Sequence, residues 1–90
     1  MARIVASAIR FTLPYDLYPI IMTGKRHSDI FLTMKNLGIK YDKNRIMQGF
    51  LTSNDQFVDR YEAAGIAWDA GQINKEVDML FSEDIWPEGE

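Results

Sequence analysis

The chain has no cysteine, so neither a disulfide framework nor a thiolate metal site is open to it, which fits a reducing compartment. It has one histidine, His27, and a lone imidazole supplies neither a zinc-ligand spacing nor most general acid–base machinery. Its longest apolar run, Tyr18 to Met22, falls far short of the roughly 20 residues that span a bilayer, and no signal-peptide h-region opens the chain. Positive charge is in deficit: 10 Lys and Arg stand against 13 Asp and Glu, giving a net charge of −3 and a pI near 5.0. That balance gives no general attraction to a polyphosphate backbone. A Gly-rich phosphate loop, a dinucleotide fingerprint and a Ser-His-Asp set are also missing. An enzyme, a nucleic acid polymer, a membrane, a metal and a cofactor are therefore all absent from the expectations.

What is present is one small domain. Ninety residues bury only about 60–65% of their chain surface on folding, so association with further copies would help stability. With 47% hydrophobic and 26% charged residues and few prolines, the composition is that of a soluble globular protein rather than a disordered one.

Gln48 to Ile73 holds most of the local information. Gly49 leads into Phe50-Leu51-Thr52, Ser53-Asn54-Asp55 supplies turn chemistry, and Phe57-Val58 resumes β-type residues, a hairpin pattern. Asp59 is placed to cap a helix that starts at Arg60, with Glu62 three residues on completing a capping box. Gly71 supplies the left-handed stop. Phe50, Thr52, Arg60 and Gln72 thus fall at element ends, where rigid neighbours hold a side chain that still faces a ligand.

Before this stretch, Arg3 to Thr12 reads as a central strand covered on both faces, with Ile4, Ala6 and Ala8 on one side and Val5, Ser7, Ile9 and Phe11 on the other. Pro14 and Pro19 bracket a connector, and Ile20 to Thr23 forms a second strand near an edge. Ser28 or His27 begins a helix bearing Ile30, Phe31, Met34 and Leu37, which Gly38 ends. Ile39 to Arg45 is a loop. After Ile73 an apolar tail (Val77, Met79, Leu80, Phe81, Ile85, Trp86) is expected on the core or on a neighbouring subunit, and Pro87 to Glu90 is expected to fray. The expected fold is α+β: a small antiparallel sheet of about four strands with two short helices in ββαββα order, plus the tail.

Three segments together, GKRHSDI (24–30), QGFLT with QFVDR-EAA-IA-AGQI (48–73) and SEDIW (82–86), resemble short proteins carried by bacteriophages and prophages. They are similar to the first family of Thoeris anti-defence proteins, understood as sponges that sequester a cyclic ADP-ribose isomer made by host immune enzymes, with some members also holding cyclic oligonucleotides. The resemblance covers roughly 20–86 with a gap at 39–47, and PYDLYP departs from the pattern. It implies a homo-oligomer in the cytoplasm of the infected bacterial host, and because a ligand pocket of about 300–1,000 Å³ is much for so small a domain to enclose, the pockets are expected between subunits. The positions it marks for ligand contact are Arg26, His27, Phe50, Asp59 and Arg60.

Each of these has a structural role competing with the functional one. The Arg26 guanidinium suits a pyrophosphate, or a salt bridge to Asp29 or to the C-terminal acids. His27 suits phosphate or ribose, or a packed helix start. Phe50 suits stacking on a base, or the core. Arg60 points from a first helical turn, where a cation is disfavoured unless an anion meets it. Thr52 and Asp59 suit ribose hydroxyls, although Asp59 is first a cap. Trp68, Trp86 and the methionines read as core or interface. The rival function is a small acidic phage protein that inhibits a host enzyme through its apolar tail.

Overall fold

Alternating β-branched and aromatic residues with short polar interruptions build a sheet, on which the helices pack. The computed structural model describes residues 1–87, so residues 88–90, part of the stretch expected to fray, lie outside the described residues. The order is β1 (Ile4–Phe11), β2 (Ile20–Gly24), α1 (His27–Asn36), β3 (Ile46–Thr52), β4 (Phe57–Asp59), α2 (Arg60–Asp69) and α3 (Ser82–Ile85). The four strands form one antiparallel sheet in the order β2–β1–β3–β4. This is the expected α+β fold, with a short third helix inside the apolar tail.

Local signals set the helix ends. Asp59 accepts from the Glu62 backbone N–H at 2.8 Å, the cap the sequence calls for. At the other end Gly71 has φ 71°, and Gln72 N–H donates to the Ala67 carbonyl at 2.8 Å while Gly71 N–H donates to Trp68 at 3.1 Å. That pair of bonds is a Schellman stop. Gly38, at φ 69°, ends α1 by the same device, with Ile39 N–H on the Met34 carbonyl.

The first strand is central as expected, but its faces are not those of plain alternation. Pairing with β3 slips between Ile4 and Ala6, leaving Val5 as a bulge. The bulge turns Ile4 onto the same face as Ser7, Ile9 and Phe11, where it is buried opposite Thr52. Gln72 holds this kink: its side-chain amide accepts from the Ile4 N–H at 2.7 Å and donates to the Ile4 carbonyl at 2.8 Å, standing in for a strand neighbour. Helices cover only the face that includes Ile9 and Phe50, against the expectation of cover on both sides. The other face carries Arg10, Ile21, Met47 and Phe57, of which Arg10, Ile21 and Met47 are exposed.

Two apolar clusters fill the covered face. Ile4, Phe50, Val58, Ala63, Ala64, Ala67 and Leu80 form one beneath α2, with Val77, Ile85 and Trp86 packed against it. Ile9, Phe11, Ile30 and Met34 form the other beneath α1. The tail therefore lies on its own core, one of the two placements expected for it. The Pro14–Pro19 connector stands away from both, with Tyr15, Leu17 and Tyr18 exposed.

Candidate functional site

Between the two apolar clusters runs a polar seam. Ser7 projects from β1 opposite Phe50, His27 opens α1 and Ser82 opens α3, and all three are buried. His27 Nε2 lies 2.7 Å from the Gly49 carbonyl oxygen; a carbonyl only accepts, so Nε2 carries the hydrogen. Nδ1 is then bare in the neutral ring, and Ser82 Oγ, 2.6 Å away, donates to it. The same Ser82 oxygen accepts from the His27 backbone N–H at 3.1 Å, so the tail caps α1 where Arg26, the cap residue, makes no side-chain bond. Ser7 shares its one hydroxyl hydrogen between the Lys25 carbonyl at 2.9 Å and Ser82 Oγ at 2.8 Å. The Phe50 ring meets the imidazole edge-on, with centroids 5.0 Å apart.

Burial pushes the His27 pKa below the ordinary imidazole value of 6.5, and the Arg60 charge adds to the effect; the backbone bonds at Gly49 and Ala8 and the Glu83 carboxylate oppose both. An unfolded His27 takes up a proton near 6.5, the folded one only at lower pH, so between the two values acid favours the unfolded chain. Stability is expected to fall as the pH drops below about 6.5, and the His27→Gln variant to lack that part of the slope. Denaturant midpoints measured across this range in both proteins check it. Equal slopes refute it.

The two arginines flank the start of α3. Arg26 Nη2 lies 3.6 Å from Glu83 Oε2, one of the C-terminal acids, in a bridge whose carboxylate side chain is 60% exposed. Such a surface pair is worth about 0–1 kcal/mol. Arg60 is different. Its guanidinium lies over the Phe81 ring, 4.8 Å from the centroid, and Nη2 donates to Gln48 Oε1 at 2.7 Å. No carboxylate of the described residues forms a salt bridge with it. Its Nε is buried without a partner, the only such side-chain atom among the described residues.

The six residues marked in the sequence thus divide. Arg26 and Arg60 come together around Phe81 to Glu83, with Asp59 beside Arg60 as its helix cap. His27, Phe50 and Thr52 lie under the surface: Phe50 is 0% exposed, Thr52 1%, and Thr52 Oγ1 is in contact range of the turn amides of Asn54 and Gln56. The aromatic ring that reaches solvent beside Arg60 is Phe81, 40% exposed. Sequence reasoning assigned no site role to Ser7, Gln48 or Ser82, although the last two fall in segments it singled out, and it placed Phe81 only in the tail. None of the six lines the cleft between Gly71 and Pro87, the one at Arg10 and Arg45, or the one at Arg3 and Trp86. Among the described residues no group of His, Cys, Asp and Glu side chains is placed to hold a metal ion, and no helix is long and apolar enough to cross a membrane.

The three segments singled out in the sequence, distant along the chain, meet at this one place: Arg26 and His27 from the first, Gln48, Gly49 and Arg60 from the second, Ser82 from the third. Fold and site define a small α+β domain with a buried polar seam and, beside it, an arginine stacked on Phe81 and bonded to Gln48 with no salt bridge among the described residues. The phage T4 y16D protein family matches residues 3–86, and the chain belongs to that family. It is thus a small phage protein, as the three segments lead one to expect. No curated protein and no solved structure matches the chain.

Proposed function

We propose that this phage protein captures a small phosphate-bearing ligand derived from a nucleotide and withholds it from a host receptor, with Arg60 as the principal contact. The observation that carries the reading is the state of that side chain: oriented by Phe81 and Gln48, uncompensated by a carboxylate, and holding a buried N–H without an acceptor. A guanidinium fixed in this way presents its fork to an oxyanion at little further entropic cost. Arg26 supplies a second charge, because its exposed partner Glu83 is readily exchanged for a phosphate. The exposed Phe81, rather than the buried Phe50, offers the ring for a base.

One chain presents these groups on an open surface, so a second copy closes the pocket in this reading. The ligand class follows the resemblance: a cyclic ADP-ribose isomer or a cyclic oligonucleotide, bound at nanomolar affinity, about −12 kcal/mol, since a sponge competes with a receptor by mass action. The tail offers less to the rival reading, because Ile85 and Trp86 pack against the core and leave Phe81 as its exposed ring.

Isothermal titration against cyclic ADP-ribose isomers and cyclic di- and trinucleotides tests the proposal. Binding is expected with at least one of them, and Arg60→Ala is expected to weaken it about a hundredfold, the equivalent of one or two charged hydrogen bonds. Silence across the whole set, or an Arg60→Ala variant that binds as well as the parent, refutes it. Ligand recovered unmodified after heat denaturation separates capture from hydrolysis.

A further inference from the structure

The uncovered face of the sheet carries a second concentration of positive charge, away from Arg60. At the end of this face where β1 finishes and β3 begins, a cleft of about 240 Å³ is lined by Arg10, Arg45, Asn44, Thr12, Pro19 and Met47 among others. In a chain of net charge −3, this lining contains two guanidiniums and no carboxylate.

Both arginines are held in place, and by neutral groups. Arg45 Nη1 donates to the Asp16 backbone carbonyl at 3.0 Å, which ties it to the connector between β1 and β2. Arg10 lies over the Phe57 ring, 5.0 Å from the centroid, and its Nη2 is 3.7 Å from the Met47 sulfur across the β1–β3 pair. A carbonyl, a ring and a thioether fix direction without cancelling charge. The nearby acids are turned to other work. Asp16 Oδ1 accepts from the Leu17 N–H at 3.0 Å and Asp42 Oδ1 from the Asn44 N–H at 2.9 Å, and neither residue lines the cleft. Neither guanidinium is in a salt bridge among the described residues.

We infer that this cleft is an anion site for a compact phosphate group, either inorganic phosphate or a small phosphomonoester. Two arginines on one cleft bring N–H donors of the kind that phosphate oxygens take up in parallel pairs, and Asn44 and Thr12 in the same lining add side chains that donate without charge. The volume, about 240 Å³, lies below the about 300–1,000 Å³ of pockets for drug-sized molecules and fits a phosphate with a small substituent, and the lining shares no residue with the surface at Arg60. The site is therefore separate from the one at Arg60 and stands without it.

The test is an NMR titration of the ¹⁵N-labelled protein at pH 7.5, following the arginine Nε–Hε signals, with sodium phosphate in one arm and glycerol phosphate in another, each matched by sodium chloride of equal ionic strength. Saturable shifts of Arg10 and Arg45 are expected in at least one phosphate arm and not in chloride; the arm that saturates at lower concentration identifies the free ion or the ester as the better ligand. Arg10→Gln and Arg45→Gln are each expected to weaken binding about tenfold or more, while Arg60→Ala leaves it unchanged. Shifts that grow linearly and equally in chloride, or that saturate only at Arg26 and Arg60, overturn the inference. Arg10→Lys covers the case in which the glutamine variant loses its amide dispersion: it keeps the charge without the fork, and full-strength binding by it overturns the paired-donor geometry.

Discussion

Gly49→Ala is expected to destabilise the protein by about 3–5 kcal/mol, the sum of overpacking a closed site and losing a buried hydrogen bond. A Cβ at this position falls on the Val58 backbone carbonyl oxygen and comes within 2.6 Å of Phe57 Cζ. The ring has a way to swing aside, at the cost of its contact with Arg10. The carbonyl does not, because Val58 is paired with Phe50 and its neighbour Asp59 with Gly49 itself. Backbone must move, and the first casualty is the bond from His27 Nε2 to the Gly49 carbonyl. A domain of this size holds stability near the lower end of about 5–15 kcal/mol, so the variant stands close to unfolding at room temperature. Gly65→Ala is the control: it lies within α2 with nothing inside 4 Å of the added carbon, and a stability gain of about 0.5–1 kcal/mol is expected there. Urea titrations of the two variants and the parent decide the matter; equal midpoints for parent and Gly49→Ala would show that the hairpin yields where it is taken here to be rigid.

The contrast between these two glycines shows where sequence reasoning reaches and where it stops. Gly71 and Gly38 are legible because a helix stop is written in the few residues on either side of it. Asp59 is legible for the same reason, and so is the hairpin from Gly49 to Val58. Gly49 as a point of close approach is not, since the atoms that crowd it belong to the neighbouring strand and depend on register. Register also decides Phe50: once it stands opposite Ser7 on the helix-covered face, it belongs to the core. The bulge at Val5 defeated plain alternation, and the Gln72 amide that bonds the backbone beside it, at Ile4, sits 68 residues along the chain. Arg60 was readable as a cation in an awkward place, whereas its ring partner Phe81 and its acceptor Gln48 were not. Folding brings distant segments together at the seam, and a serine in an acidic tail carries no local mark of what it will meet.

That serine supports the second large effect. Ser82→Ala is expected to cost about 3 kcal/mol, because one hydroxyl serves three buried groups at about 1 kcal/mol each. Removing it strips the His27 Nδ1 of its donor, the His27 backbone N–H of its acceptor, and Ser7 Oγ of its neighbour at 2.8 Å. The volume lost is small, so the cost lies in unmet polar groups rather than in a cavity. Ser7→Ala should cost less, about 1 kcal/mol, since Ser7 bonds one backbone carbonyl and one hydroxyl. The double variant should then fall short of the sum, as groups that share a partner do. Ser82 also sets where its neighbours stand: Phe81 before it carries the Arg60 guanidinium, and Glu83 after it holds Arg26. Loss of the hydroxyl should therefore loosen both arginines, which makes the variant a test of linkage between seam and surface. Urea midpoints measure the stability, and arginine Nε–Hε line positions measure the surface. A variant that loses the stability but keeps both arginine signals in place would show that the seam holds the fold without setting the site.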